Sequence, residues 1–113
     1  MSDNVRERII GQISKNPILL YMKGSPDAPQ CGFSKQAAQA LIACAQKFAY
    51  VDILADPEVR ADLPKYANFP TFPQLWLNGE LIGGSDIIAS LHEEGELLTM
   101  LTSATAAADR AQA

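Results

Sequence analysis

A chain of 113 residues, 48% hydrophobic and 19% charged, has the balance of one compact globular domain rather than of a disordered or fibrous polymer. At this size folding buries roughly 60–70% of the unfolded surface, so the core stands without disulfides or a structural metal and the cysteines are free for chemistry. A formal charge of −4 and a pI near 4.8, with nine scattered Lys and Arg, argue against a broad nucleic-acid surface.

The opening residues, Met1-Ser2-Asp3-Asn4-Val5-Arg6-Glu7-Arg8, carry charges of both signs and lead into no long apolar stretch, so neither a secretory signal nor a transit peptide is expected. No segment approaches the roughly 20 apolar residues of a membrane span. Two cysteines without an export signal point to the reducing cytoplasm.

Val5, Ile9 and Ile13 recur every fourth residue behind a Ser2 or Asp3 cap, which predicts an amphipathic helix ending near Asn16-Pro17. Ile18-Leu19-Leu20-Tyr21-Met22 is a continuous apolar run and reads as a buried strand. Gly24 to Gln30 reads as a loop that delivers Cys31 to a helix over Ser34 to Lys47. A second strand is expected over Phe48 to Ile53, then a helix that Asp56-Pro57 starts and that closes near Tyr66-Ala67-Asn68. Phe69-Pro70-Thr71-Phe72-Pro73 is too proline-dense for regular structure, whereas Leu75-Trp76-Leu77 and Glu80-Leu81-Ile82-Gly83 form a hairpin on Asn78-Gly79. Ser85 or Asp86 caps a helix to about Glu94-Gly95, and a last helical piece follows from Glu96 to about Thr102. The domain is expected over residues 1–103, with 104–113 as a frayed alanine-rich tail.

This order places the first two strands in a βαβ unit, parallel through a right-handed crossover, and adds an antiparallel hairpin. The fold class is therefore α/β: a thioredoxin-like fold with a central four-stranded mixed sheet flanked by helices. Cys31 sits past the carboxyl end of the first strand and at a helix N-terminus, where open α/β sheets place their ligand sites.

A thiol there meets the positive end of the helix dipole and unpaired backbone N–H groups, and Lys23 adds a cation; all favour the thiolate. Taken without its position, an isolated cysteine reads as a small packed hydrophobe. Cys44 lies thirteen residues on, roughly 20 Å along a helix, out of reach of a disulfide, and reads as core packing. The position three after Cys31 is Ser34, so the thiolate has no resolving partner in its own motif. Two routes remain open: a mixed disulfide with glutathione resolved by a second glutathione, or ligation of a soft metal centre completed from outside the chain. A closed site in one chain would need about four Cys or His ligands, and only two cysteines and His92 are present. His92 reads as a helix-surface residue, and Tyr21, Phe48 and Trp76 as core or half-buried sheet residues.

Cys31-Gly32-Phe33-Ser34, with Pro29-Gln30 before it and Lys23-Gly24-Ser25-Pro26 upstream, resembles the signature of monothiol glutaredoxins. Phe69-Pro70-Thr71-Phe72-Pro73-Gln74, Asn78-Gly79-Glu80 and Gly83-Gly84-Ser85-Asp86 extend the resemblance over about residues 5 to 102, closest to the short, single-domain bacterial type. The resemblance implies a glutathione site. Lys23 and Arg60 would pair with its glycyl carboxylate, Phe72 would hydrogen-bond its backbone beside Thr71 and a cis Pro73, and Gly84, Ser85 and Asp86 would receive its γ-glutamyl end. Gly32 and Phe33 flank the thiol in the same site. Taken singly, Lys23 and Arg60 read as solvated charges, Asp86 as a helix cap and Pro73 as a strand-entry proline; it is their joint occurrence around Cys31 that points to a site.

The resemblance further implies a [2Fe-2S] cluster held between two subunits by one Cys31 and one glutathione from each. That cluster would pass to acceptor proteins, with BolA-like proteins as partners, and with no nucleic-acid or membrane partner. Where some relatives carry a cysteine this chain has Ser85, which leaves glutathionylation as the oxidised state of Cys31. Two alternatives share the same thiolate: a glutathione-dependent oxidoreductase acting on glutathionylated thiols, and a redox-sensing binding module.

Overall fold

The computed structural model describes residues 2–112. Helix α1 (Asp3–Lys15) starts where Ser2 accepts a hydrogen bond from the Val5 N–H, and it buries Val5, Ile9 and Ile13. Strand β1 (Ile18–Met22) follows, buried at every residue. Two-residue strands β2 (Gly24–Ser25) and β3 (Ala28–Pro29) then pair antiparallel in what the sequence suggests is a plain loop. Helix α2 (Gly32–Ala43) has Cys31 as its N-cap and Cys44 as its C-cap. It begins earlier than Ser34 and stops short of Lys47, because the chain turns left-handed at Ala45, φ 55°.

Strand β4 (Ala49–Asp52) and helix α3 (Pro57–Ala67), capped by Asp56, come next. The hairpin β5 (Gln74–Leu77) and β6 (Glu80–Gly83) turns at Asn78 and Gly79, both at positive φ. Helix α4 (Ser85–Glu93) is capped by Gly84 without a side-chain bond, in place of the expected Ser85 or Asp86 cap.

The last helix corrects an expectation. Helix α5 runs from Glu96 to Gln112 instead of fraying at Ala104. Alanine has the highest intrinsic helix propensity, Ala104 is 6% exposed against the core, and its carbonyl accepts from Asn78 Nδ2 at 3.0 Å. Ala113, the end of that expected tail, lies outside the described residues.

The four long strands form one mixed sheet in the order β4-β1-β5-β6. β1 is parallel to β4, with Leu20 opposite Tyr50, and antiparallel to β5, with Leu20 opposite Leu75. Side chains alternate across a strand, so β1 feeds two cores. Ile18, Leu20 and Met22 pack with α2, α4 and α5 through Leu41, Ile88, Leu97 and Leu101. Leu19 and Tyr21 pack with α1 and α3 through Ile9, Val59 and Leu63, beside Trp76. Burial on both faces explains why β1 reads as an unbroken apolar run.

Candidate functional site

The ends of β1 and β6 and the start of β5 reach the same edge of the sheet, since Tyr21 pairs with Gln74 and Leu75 with Gly83. The segments that continue from them, together with α3 and the N-termini of α2 and α4, enclose a groove of about 760 Å³. Its lining includes Lys23, Cys31, Phe33, Arg60, Thr71, Phe72, Pro73, Gly84, Ser85 and Asp86. Of the residues that the sequence assigns to the site, only Gly32 does not line it. Pro64, Phe69, Pro70 and Ile87 also line the groove, beyond the site residues that the sequence points to. Phe69 and Pro70 lay inside a recognised block. Pro64 and Ile87 are helix residues whose direction only the fold reveals.

Cys31 is partly exposed in extended conformation, with φ −155° and ψ 139°. Its neutral thiol makes no capping bond, but the first-turn N–H groups favour its ionised form and hold its pKa below the ordinary thiol value. The Ser34 N–H is the largest cause. Partial burial opposes it, and the Phe33 N–H, the Lys23 charge and the Ser34 hydroxyl add to it in that order. Cys44, buried at the far end of α2, is pushed up by desolvation alone. The helix between the two thiols keeps both free.

Local bonding sets each wall of the groove. Ser34 is fully buried, and its Oγ accepts the Lys23 backbone N–H at 3.0 Å, which docks the start of α2 against the end of β1. One oxygen of Asp52 accepts from both the Gly24 and Leu54 N–H groups at 2.9 Å, tying the segment after β1 to the segment after β4. Gly24 has φ +89°, and a Cβ there would stand 2.5 Å from the Ala28 carbonyl oxygen, so the β2–β3 hairpin requires glycine. Asn68 ends α3 in left-handed conformation, φ 51°, and turns Phe69 into the groove. The Phe72–Pro73 peptide bond is cis. Gly84 allows close packing, since a Cβ there would lie 3.3 Å from both the Phe69 ring and the Pro73 carbonyl.

Charge is divided by topology. Because β5 lies between β1 and β6, the Phe69–Pro73 segment separates Lys23 from Asp86. Among the described residues the ion pairs are those of Arg8 with Asp56 and Glu58, so Lys23, Arg60 and Asp86 are unpaired. The Phe72 N–H and C=O likewise have no backbone partner among the described residues. The groove thus offers cations, unpaired Phe72 backbone groups, a helix N-terminus and a carboxylate beside a thiol whose pKa is lowered. No group of three or more His, Cys, Asp or Glu suited to a metal ion occurs among the described residues.

A cysteine at a helix N-terminus with its pKa lowered, on a four-stranded mixed sheet of this order, defines a thiol-redox protein of the thioredoxin-like fold. Solved glutaredoxins share that fold: reduced apo GrxS14 from poplar superposes with a TM-score of 0.77 at 35% identity, covering 90% of this chain and 94% of that one. A truncated 1-C-Grx1 from Trypanosoma brucei gives 0.78 at 34% identity, over 87% and 89%. The glutaredoxin family model matches residues 18–82. Glutaredoxin 4 of Escherichia coli K12 is 63% identical over 95 residues, 84% of this chain and 83% of its own length. Glutaredoxin 4 of Haemophilus influenzae is 59% identical over 100 residues, covering 88% and 94%. The chain belongs to the glutaredoxin family.

Proposed function

We propose that this glutaredoxin is a monothiol carrier: it binds glutathione in the groove and holds a [2Fe-2S] cluster between two copies, through one Cys31 and one glutathione from each. It then passes that cluster to acceptor proteins in the cytoplasm, with BolA-like proteins among its partners. The observation that carries this reading is a thiolate-favouring Cys31 that opens onto a groove with unpaired charges of both signs, in a chain with no second thiol in reach.

Glutathione has a carboxylate at its glycyl end and both an ammonium and a carboxylate at its γ-glutamyl end, and the groove's charges match that layout. Lys23 and Arg60 pair with the glycyl carboxylate. The Phe72 backbone bonds the cysteinyl unit in strand fashion, and the first N–H groups of α4 with Asp86 take the γ-glutamyl end. The peptide's sulfur then lies beside Cys31, so the two supply two soft ligands per subunit. A [2Fe-2S] cluster would take four thiolate ligands, and of the chain's two cysteines only Cys31 lines the groove. Phe33, 61% exposed, and Ile87, 48% exposed, line the same groove as the thiol with apolar surface that a second copy would cover. The cluster is cargo, and exchangeable glutathione ligands suit its release.

Anaerobic reconstitution with iron, sulfide and glutathione should yield a coloured dimer that returns to colourless monomer when glutathione is removed, and Cys31→Ser should stay colourless. A folded wild-type protein that remains colourless under these conditions overturns the carrier reading.

The lowered thiol pKa also favours a second activity. The Cys31 thiolate attacks the glutathionyl sulfur of a protein mixed disulfide, the protein thiol leaves, and a second glutathione reduces Cys31 and departs as glutathione disulfide. Turnover of a glutathionylated peptide at rates near those of two-cysteine glutaredoxins would make this the main function.

A further inference from the structure

Gln74, the first residue of β5, is fully buried, an unusual place for a primary amide. Its Nε2 donates to the carbonyls of Phe69 at 3.1 Å and Thr71 at 3.2 Å. Its Oε1 accepts from Trp76 Nε1 at 3.1 Å. Residues two apart on a strand share a face, so the indole reaches the amide, and an indole N–H only donates. That donor fixes the amide with oxygen towards Trp76 and nitrogen towards the proline-rich segment.

The segment needs those donors. Pro70 and Pro73 have no N–H, which leaves few backbone donors for its carbonyls. The consequence falls on Phe72. The Thr71–Phe72 peptide is not cis, so in its plane the Thr71 C=O and the Phe72 N–H point in opposite directions. Holding the Thr71 oxygen inward towards Gln74 turns the Phe72 N–H outward, towards the groove that Thr71 and Phe72 line.

We propose that Gln74 is a positioning residue for glutathione: its buried carboxamide, oriented by Trp76, sets the peptide plane that aims the Phe72 N–H at the bound peptide. The role rests on the glutathione reading above. It predicts that Gln74 matters to glutathione and not to the thiol chemistry itself.

The test uses two disulfides. Cys31 thiolate attacks glutathione disulfide to give Cys31–S–S–glutathione and release one glutathione thiolate; with bis(2-hydroxyethyl) disulfide the same exchange releases 2-mercaptoethanol thiolate. The equilibrium constant of the first exchange, divided by that of the second, isolates what the groove adds for glutathione. Gln74→Met keeps length and volume but removes all three bonds. It should lower the ratio about tenfold, through the glutathione constant alone, the loss expected for one well-placed hydrogen bond to the ligand. Trp76→Phe removes only the orienting donor and should lower it about threefold; it decides the matter if Gln74→Met fails to fold. Ratios unchanged in the folded variants, or both constants falling together, would overturn the positioning role while leaving glutathione binding intact. A wild-type ratio near one would instead remove the glutathione reading, and the role with it.

Discussion

Ser34 stands where a dithiol protein would carry its second cysteine, yet it is fully buried and bonded, not idle. Its hydroxyl accepts the Lys23 N–H, and its own N–H is the largest cause of the lowered Cys31 pKa. Ser34→Ala leaves the Lys23 N–H without its acceptor and should lower stability by about 1–3 kcal/mol in urea denaturation. Lys23→Gln removes a charge that favours the thiolate, so the pH profile of Cys31 alkylation should move to higher pH, with less thiolate at neutral pH. A profile that stays put or moves down would show that Lys23 does not act on the thiol. Sequence made Cys31 and Lys23 legible because each sits at a recognisable boundary, a helix start and a strand end. Ser34 could be read there only as a missing cysteine, and Gln74 only as a letter beside a proline. Their bonds depend on segments that become neighbours only after folding.

Among the elements, the long strands and α1 were readable because apolar runs and a four-residue period survive in any context. The β2–β3 hairpin was not, since two-residue strands leave no periodicity. The same holds for the end of α2: Ala, Gln and Lys favour helix as far as Lys47, and nothing in their propensity announces the left-handed turn at Ala45. Gly24→Ala would force the Ala28 carbonyl aside and should cost more than about 1 kcal/mol, read as a lower midpoint in thermal melts. Deleting residues 104–113 tests the length of α5. A frayed tail would be lost without effect, whereas the burial of Ala104 and its bond to Asn78 predict a loss of about 1–2 kcal/mol.

At the scale of the whole molecule, the strand order makes a mixed-charge groove from an acidic chain. The net charge of −4 says nothing of it, because Lys23 and Arg60 are far apart in sequence and meet only where β1 and α3 reach the same sheet edge. The joint change Lys23→Gln, Arg60→Gln should therefore weaken glutathione capture and flatten its dependence on salt, as titrations at low and high ionic strength would show. The architecture also gives the protein an optical property of its own. Trp76 is the only tryptophan, and its ring nitrogen ends a chain of hydrogen bonds that begins at the groove wall. Fluorescence excited selectively at the indole therefore comes from one reporter, seated behind the groove and out of a ligand's way. A shift in its emission when a ligand binds would record the settling of the loop, without a label and in the unmodified protein.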